Sequence, residues 1–156
     1  MDSEKSSPQI LRMHRDTPMC WNFIPQILDR VYRFCENMDT ETYPHDAVDL
    51  VRGWFTFADP RLGLWIVHND QYIVGHLLAT PEPWNADKWK YCLIRQAEID
   101  QGVDLRHECA PIFSQVEAWT KGMGLSKIII LTHRNEDAMA RKWKFRPYKA
   151  LMVKEI

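Results

Sequence analysis

Leu105-Arg106-His107-Glu108-Cys109-Ala110-Pro111-Ile112-Phe113-Ser114-Gln115-Val116-Glu117-Ala118-Trp119-Thr120-Lys121-Gly122-Met123-Gly124 runs directly into Leu125-Ser126-Lys127-Ile128-Ile129-Ile130-Leu131-Thr132. In the first stretch Ile112, Phe113, Val116, Trp119 and Met123 recur at three and four residues, which predicts an amphipathic helix over 105–121. Gly122 and Gly124 supply its stop. The second stretch is an unbroken β-branched run, which predicts a strand over 126–132 buried on both faces, as parallel strands are. Upstream, residues 88–99 alternate, which predicts a strand with Tyr91, Leu93 and Arg95 on one side. Strand, helix and strand in this order make a right-handed parallel crossover if both strands share a sheet. Phe113, Val116, Trp119 and Ile129 are its expected core.

Outward from that unit, residues 62–67 and 72–80 are strand-length apolar runs around His68-Asn69-Asp70-Gln71, the pattern of a hairpin. Before them, Phe23, Ile24, Ile27, Leu28, Val31, Tyr32 and Cys35 share a helical face behind the start signal Thr17-Pro18, with Pro25 limiting or kinking the first turn. Ala47, Leu50, Val51, Trp54 and Phe55 mark a second helix that Asp59-Pro60 ends. Ile10, Leu11 and Met13 suggest a short first strand; residues 135–142 suggest a short helix and 148–156 a last strand. The expected order is β-α-α-β-β-β-α-β-α-β, with residues 1–8 a tail and 9–156 one domain. No repeat interrupts it.

The composition sets outer limits. A chain of 156 residues with 46% apolar and 26% charged residues is globular and buries a real core. Its formal net charge of −1 gives no general attraction to phosphate backbones, so a nucleic-acid partner is not expected. No apolar run reaches the ~18–20 residues that a bilayer requires, and no membrane partner is expected. Cys20, Cys35, Cys92 and Cys109 form no Cys-x-x-Cys pair, which fits reduced thiols and a cytoplasmic location. Seven Trp imply a thick core or an aromatic interface, which leaves an oligomer open.

The element order and several segments resemble the GNAT N-acyltransferase superfamily over nearly the whole chain. Leu64-Trp65-Ile66-Val67-His68-Asn69-Asp70-Gln71-Tyr72-Ile73-Val74-Gly75-His76-Leu77-Leu78-Ala79 is similar to the family's second and third strands. Val116–Gly124 is similar to the end of its cofactor helix, Ile128–Thr132 to its fifth strand, and Asn135-x-x-Ala138 with Phe145 to its Asn-x-x-Ala…Gly-Phe signature. The resemblance implies an α+β fold in three layers: a mixed, mostly antiparallel sheet with helices on both faces. It implies transfer of an acetyl group from acetyl-CoA to an amine.

By that resemblance the pyrophosphate loop, (Gln/Arg)-x-x-Gly-x-(Gly/Ala) in the family, falls on Asp104–Cys109. Backbone N–H groups there would close on phosphate at a helix N-terminus, with Arg106, His107, Glu108 and Cys109 as contacts. Neither family glycine is present, and Asp104 and Glu108 bring negative charge. Where the family's strands splay, the backbone at Ala97 and Ile99 would meet the thioester, a free N–H polarising its carbonyl. Asn135 would face the cofactor arm, cap a helix, or do both.

Glu98 is the candidate general base, taking an amine proton through a water; its alternative is a solvated strand-end carboxylate. The family's helix Tyr is absent after Asn135, and Tyr148 is the nearest hydroxyl for the general-acid role. His133 at the strand end is either a turn residue or a cofactor contact. His107-Glu108-Cys109 lacks a second ligand pair at metal spacing, so no metal is expected. Cys109 near a helix N-terminus has the setting of a lowered thiol pKa. Arg141, Lys142, Lys144, Arg146 and Lys149 make either a solvated basic face, which the near-zero net charge favours, or a contact for the 3′-phosphate of coenzyme A or for a nucleic acid. The competing reading from another class is a GNAT-like protein without catalysis, a binding or structural component of the kind met among bacteriophage proteins.

Overall fold

The computed structural model describes residues 8–37, 43–57, 61–83, 87–103, 110–130 and 145. Eight elements follow in order: β1 (Gln9–Arg12), α1 (Pro18–Asn37), α2 (Pro44–Phe57), β2 (Gly63–Asn69), β3 (Tyr72–Glu82), β4 (Tyr91–Ile99), α3 (Ala110–Gly122) and β5 (Ile128–Ile130). The expected helix at 135–142 and strand at 148–156 lie outside the described residues, as does the 104–109 part of the expected cofactor helix. Among the described residues, no helix is long and apolar enough to cross a membrane.

The strands form one sheet in the order β1-β2-β3-β4-β5. The first four pair antiparallel, and β5 joins β4 in parallel. This is the mixed, mostly antiparallel sheet read from the sequence, and α3 is the crossover between its parallel strands.

Alternation along the strands sends side chains to two faces, and a separate apolar core covers each. On one face Leu64, Ile66 and Leu78 pack with Cys20, Phe23, Ile27, Val31 and Cys35 of α1 and with Val51, Trp54 and Phe55 of α2. The buried positions of α1 recur at three and four residues, the stripe a one-sided helix needs. Exposed Pro25 sits inside α1 without ending it; the one N–H it lacks falls on the solvent side. On the other face Trp65, Val67, Leu77, Ala79, Cys92 and Ile94 pack with Ile112 and Val116 of α3.

Four details differ from the sequence reading. The hairpin turn is Asp70-Gln71 alone, because His68 and Asn69 stay in β2. Asp70 takes φ 56°, a left-handed conformation that Asp tolerates. β4 starts at Tyr91 instead of residue 88. Of the expected core, Val116 is fully buried, but Phe113, Trp119 and Ile129 are only partly so. The buried row of α3 is Ile112, Val116 and Thr120, where the Thr120 hydroxyl donates to the Val116 carbonyl at 2.8 Å. β5 is likewise intermediate in burial along its described length.

α3 ends on Gly124 at φ 75°, with the Leu125 N–H donating to the Thr120 carbonyl at 3.2 Å. A glycine there closes the last turn without Cβ strain.

Candidate functional site

Among the described residues, β4 runs on past the paired part of its parallel partner. β4 pairs with β5 through Cys92, Leu93 and Ile94, while β4 itself continues to Ile99 against β3. Among the described residues, the β5 side of β4 has no partner strand from Arg95 onward.

The register of β3 and β4 breaks at the same point. Leu78 faces Gln96 and Ala79 faces Ile94, so Arg95 is an extra residue, a β-bulge. The bulge reverses the alternation. Ile94 and Ala97 belong to the α3 side, whereas Gln96 reaches the α1 side and bonds the Val31 carbonyl.

Backbone direction follows from two bonds. The Cys92 N–H donates to the Lys127 carbonyl, toward β5; the Asp100 N–H donates to the Val74 carbonyl, toward β3. N–H groups alternate along a strand, so Glu98 and Gln96 share the direction of Asp100. Ala97 and Ile99 therefore aim their N–H groups away from β3, to the β5 side of the strand. These two residues stand where a ligand could take main-chain hydrogen bonds.

The bulge is held by side chains. The Arg95 guanidinium donates through Nε to the Thr80 hydroxyl at 2.6 Å and through NH2 to the Glu82 carboxylate, and Thr80 donates to the same carboxylate at 3.0 Å. Thr80 is fully buried and Glu82 nearly so, which makes these charge-assisted bonds costly to break.

Beyond the bulge lies a second polar group that sequence reasoning did not assemble. His76 is buried and its Nε2 lies 2.8 Å from Gln96 Oε1. Because that oxygen can only accept, Nε2 carries the proton and Nδ1 is left as an acceptor. Gln96 in turn donates to the Val31 carbonyl and to Cys35 Sγ at 3.4 and 3.3 Å. Arg30 of α1 faces His76 Nδ1 at 3.5 Å and reaches Asp100 at 3.1 Å and Glu98 at 3.7 Å.

Burial is the main force that lowers the His76 pKa to about 4. The Gln96 bond opposes it, Arg30 adds to it, and Asp100 opposes it. The imidazole is therefore neutral at physiological pH.

Glu98 pairs across from His76 on β3, with its carboxylate half-exposed and Arg30 at its side. It is neither deeply buried nor a bare surface acid: a wet carboxylate beside a fixed cation. Ala97, Glu98 and Ile99 are thus brought together as one segment. Arg106, His107, Glu108, Cys109, Asn135 and Tyr148 lie outside the described residues, as do His133 and the basic residues 141–149. Cys20, Cys35 and Cys92 are buried and form no disulfide with one another, and burial raises the Cys92 thiol pKa.

By sequence the chain matches no family model and no curated protein. By structure it matches many acetyltransferases. One is a protein of Clostridium acetobutylicum described as a predicted acetyltransferase and solved with acetyl-CoA: TM-score 0.66, 9% identity, covering 95% of this chain and 96% of that one. This is the GNAT fold. Glucosamine-6-phosphate N-acetyltransferase of Arabidopsis thaliana shares it, with TM-score 0.63 and 10% identity over 96% of this chain and 99% of that chain. So does AAC(6')-Iy, solved with the bisubstrate analogue CoA-S-monomethyl-acetylneamine: TM-score 0.64, 10% identity, 97% and 99% coverage. At 9–10% identity, the likeness is one of fold.

Of the polar residues around the site, only Glu98 was legible beforehand. A period-two reading of Gln96 and Glu98 against His76 would have suggested a polar stripe on one face. Arg30 gives no such signal, because it is a single polar position beside the apolar stripe of α1.

Proposed function

We propose that this protein is an N-acyltransferase that moves the acetyl group of acetyl-CoA to a primary amine. The observation that carries the reading is the flank of β4, where Ala97 and Ile99 turn their N–H groups away from β3, on the side where β4 has no partner among the described residues. An extended pantetheine arm lies along such a flank by adding main-chain hydrogen bonds, much as a strand would. An N–H fixed there stabilises the oxyanion that develops when the amine attacks the thioester, and a rigid donor needs no reorganisation at that moment.

In the proposed step the amine nitrogen bonds to the acyl carbon, the C–S bond breaks, and coenzyme A leaves as a thiolate. Glu98 takes the ammonium proton, directly or through a water, and Arg30 holds its carboxylate in place. Tyr148 is the candidate donor to the thiolate. Arg106 and His107 are the candidate side-chain contacts for the pyrophosphate, with the backbone of Glu108 and Cys109 closing on it. Asn135 is proposed to hold the cofactor arm. The neighbours solved with acetyl-CoA and with a coenzyme A bisubstrate analogue support the choice of donor. The acceptor as an amine is supported by the neighbours that are N-acetyltransferases or carry an amine-derived analogue.

One observation favours a second reading, a GNAT-fold binding protein without turnover. Residues 104–109, which the family resemblance aligns with the pyrophosphate position, carry Asp104 and Glu108 and neither family glycine.

The two readings separate in one assay, release of free coenzyme A thiol from acetyl-CoA over a panel of primary amines. The enzyme reading expects turnover with at least one amine, and a fall of about 100-fold in kcat for Glu98→Gln with Kd for acetyl-CoA unchanged. Acetyl-CoA binding with no turnover on any amine selects the binding protein.

A further inference from the structure

At the opposite edge of the sheet, on the α3 face, Arg12 ends β1 beside Trp65 of β2. The Arg12 guanidinium lies 5.7 Å from the Trp65 ring and 5.9 Å from that of Trp119, and the two indoles meet edge-on at 5.6 Å. With Gln115 and Ala118 they line an open cavity of about 360 Å3. Gly63 makes room for this packing: a Cβ there would stand 2.5 Å from the Trp65 ring and 3.0 Å from that of Trp119.

Two features define what this cavity can hold. Among the described residues, Arg12 makes no ion pair or hydrogen bond through its guanidinium, and partial burial alone lowers its pKa, with no carboxylate countering the shift. The Trp65 indole N–H donates to Gln115 Oε1 at 3.1 Å, which fixes the amide so that its NH2 group is the end left to a ligand. The polar groups available are therefore donors: the guanidinium fork and one amide. The walls are indole. A single cation suits a monoanion better than a phosphate dianion, and flat aromatic walls suit a flat body.

We propose that this cavity is a binding site for a planar monocarboxylate, with the carboxylate forked by Arg12, assisted by the Gln115 NH2 group, and the flat body stacked on Trp119, behind which Trp65 is buried. It is separate from the β4 flank, since β2 and β3 lie between β1 and β4, and its existence does not depend on acyl transfer.

Benzoate is the probe, followed by the tryptophan indole N–H signals of the 15N-labelled full chain, with the Trp119 signal identified from Trp119→Phe. A ligand of about nine non-hydrogen atoms at such a site is expected to bind with a Kd on the order of millimolar. Saturable shifts of the Trp65 and Trp119 signals are expected. Benzamide, which keeps the ring and loses the charge, should bind at least about tenfold more weakly, as should acetate, which keeps the charge and loses the ring.

Arg12→Met keeps the apolar stem and should also cost at least about tenfold. Gln115→Glu still accepts from the Trp65 indole, places a negative charge in the cavity and should abolish benzoate binding, so the test survives if Arg12→Met fails to fold. Absence of saturable shifts up to the solubility limit overturns the site. So does equal affinity for benzamide, or unchanged affinity in Gln115→Glu.

Discussion

His76 should make this protein lose stability on mild acidification, well above the pH at which carboxylates titrate. Its imidazole is buried against α1, facing Arg30, Gln96, Glu98 and Asp100, and burial lowers its pKa from 6.5 to about 4. In the unfolded chain the same ring returns to its ordinary value. Between those two values the unfolded state binds a proton that the folded state refuses, so stability falls as pH drops through the window and is intact above about 6.5. Each pH unit of separation is worth about 1.4 kcal/mol. The gap therefore carries about 3 kcal/mol once pH is below both values, and about 2–3 kcal/mol between about pH 7.5 and 4.5. His68, also buried and with its pKa lowered by burial against an opposing pull from Asp70, acts in the same direction. The assay is urea unfolding at both pH values for the wild type and for His76→Gln, a neutral side chain that can still donate to Gln96. The wild type should lose about 2–3 kcal/mol more than the variant over this interval. Equal losses in the two proteins would refute the buried neutral imidazole.

Trp65→Ala should cost about 3–5 kcal/mol in thermal or urea unfolding, because a fully buried indole leaves a cavity. Trp119→Ala should cost less than Trp65→Ala, since Trp119 is only partly buried; the reverse order would mean that the packing of α3 on the sheet is wrongly described. Arg106→Ala should weaken acetyl-CoA binding by about 1–3 kcal/mol and Glu108→Gly should tighten it, both read by calorimetry; no response to either places the pyrophosphate elsewhere.

The strand–helix–strand unit was legible because α3 and β5 follow different periods and two glycines separate them. The face of α3 was less so. Thr120 reads as polar, yet its hydroxyl satisfies itself on the Val116 carbonyl and lets the residue take a buried place, which turns Trp119 outward. The hairpin was legible as two apolar runs, but its turn was read too long: His68 looks like a turn residue, yet it pairs with Gln9 and Ile73 in the sheet and packs against Phe23, 4.9 Å away. At the site, Ala97, Glu98 and Ile99 could be placed by strand parity. The bulge at Arg95 could not, because it depends on Thr80 and Glu82 from another strand. Arg30 and His76 stand 46 residues apart and meet only when α1 lies across the sheet.

The central claim is that the flank of β4 receives acyl-coenzyme A. It is tested most directly by titrating acetyl-CoA into the full chain by calorimetry, with desulfo-coenzyme A as competitor. Saturable binding of one acetyl-CoA per chain is expected, displaced by the competitor and abolished by Ala97→Trp, which adds bulk on the α3 side of β4 beside the flank. No saturable heat up to millimolar acetyl-CoA, or binding that ignores Ala97→Trp, would contradict it.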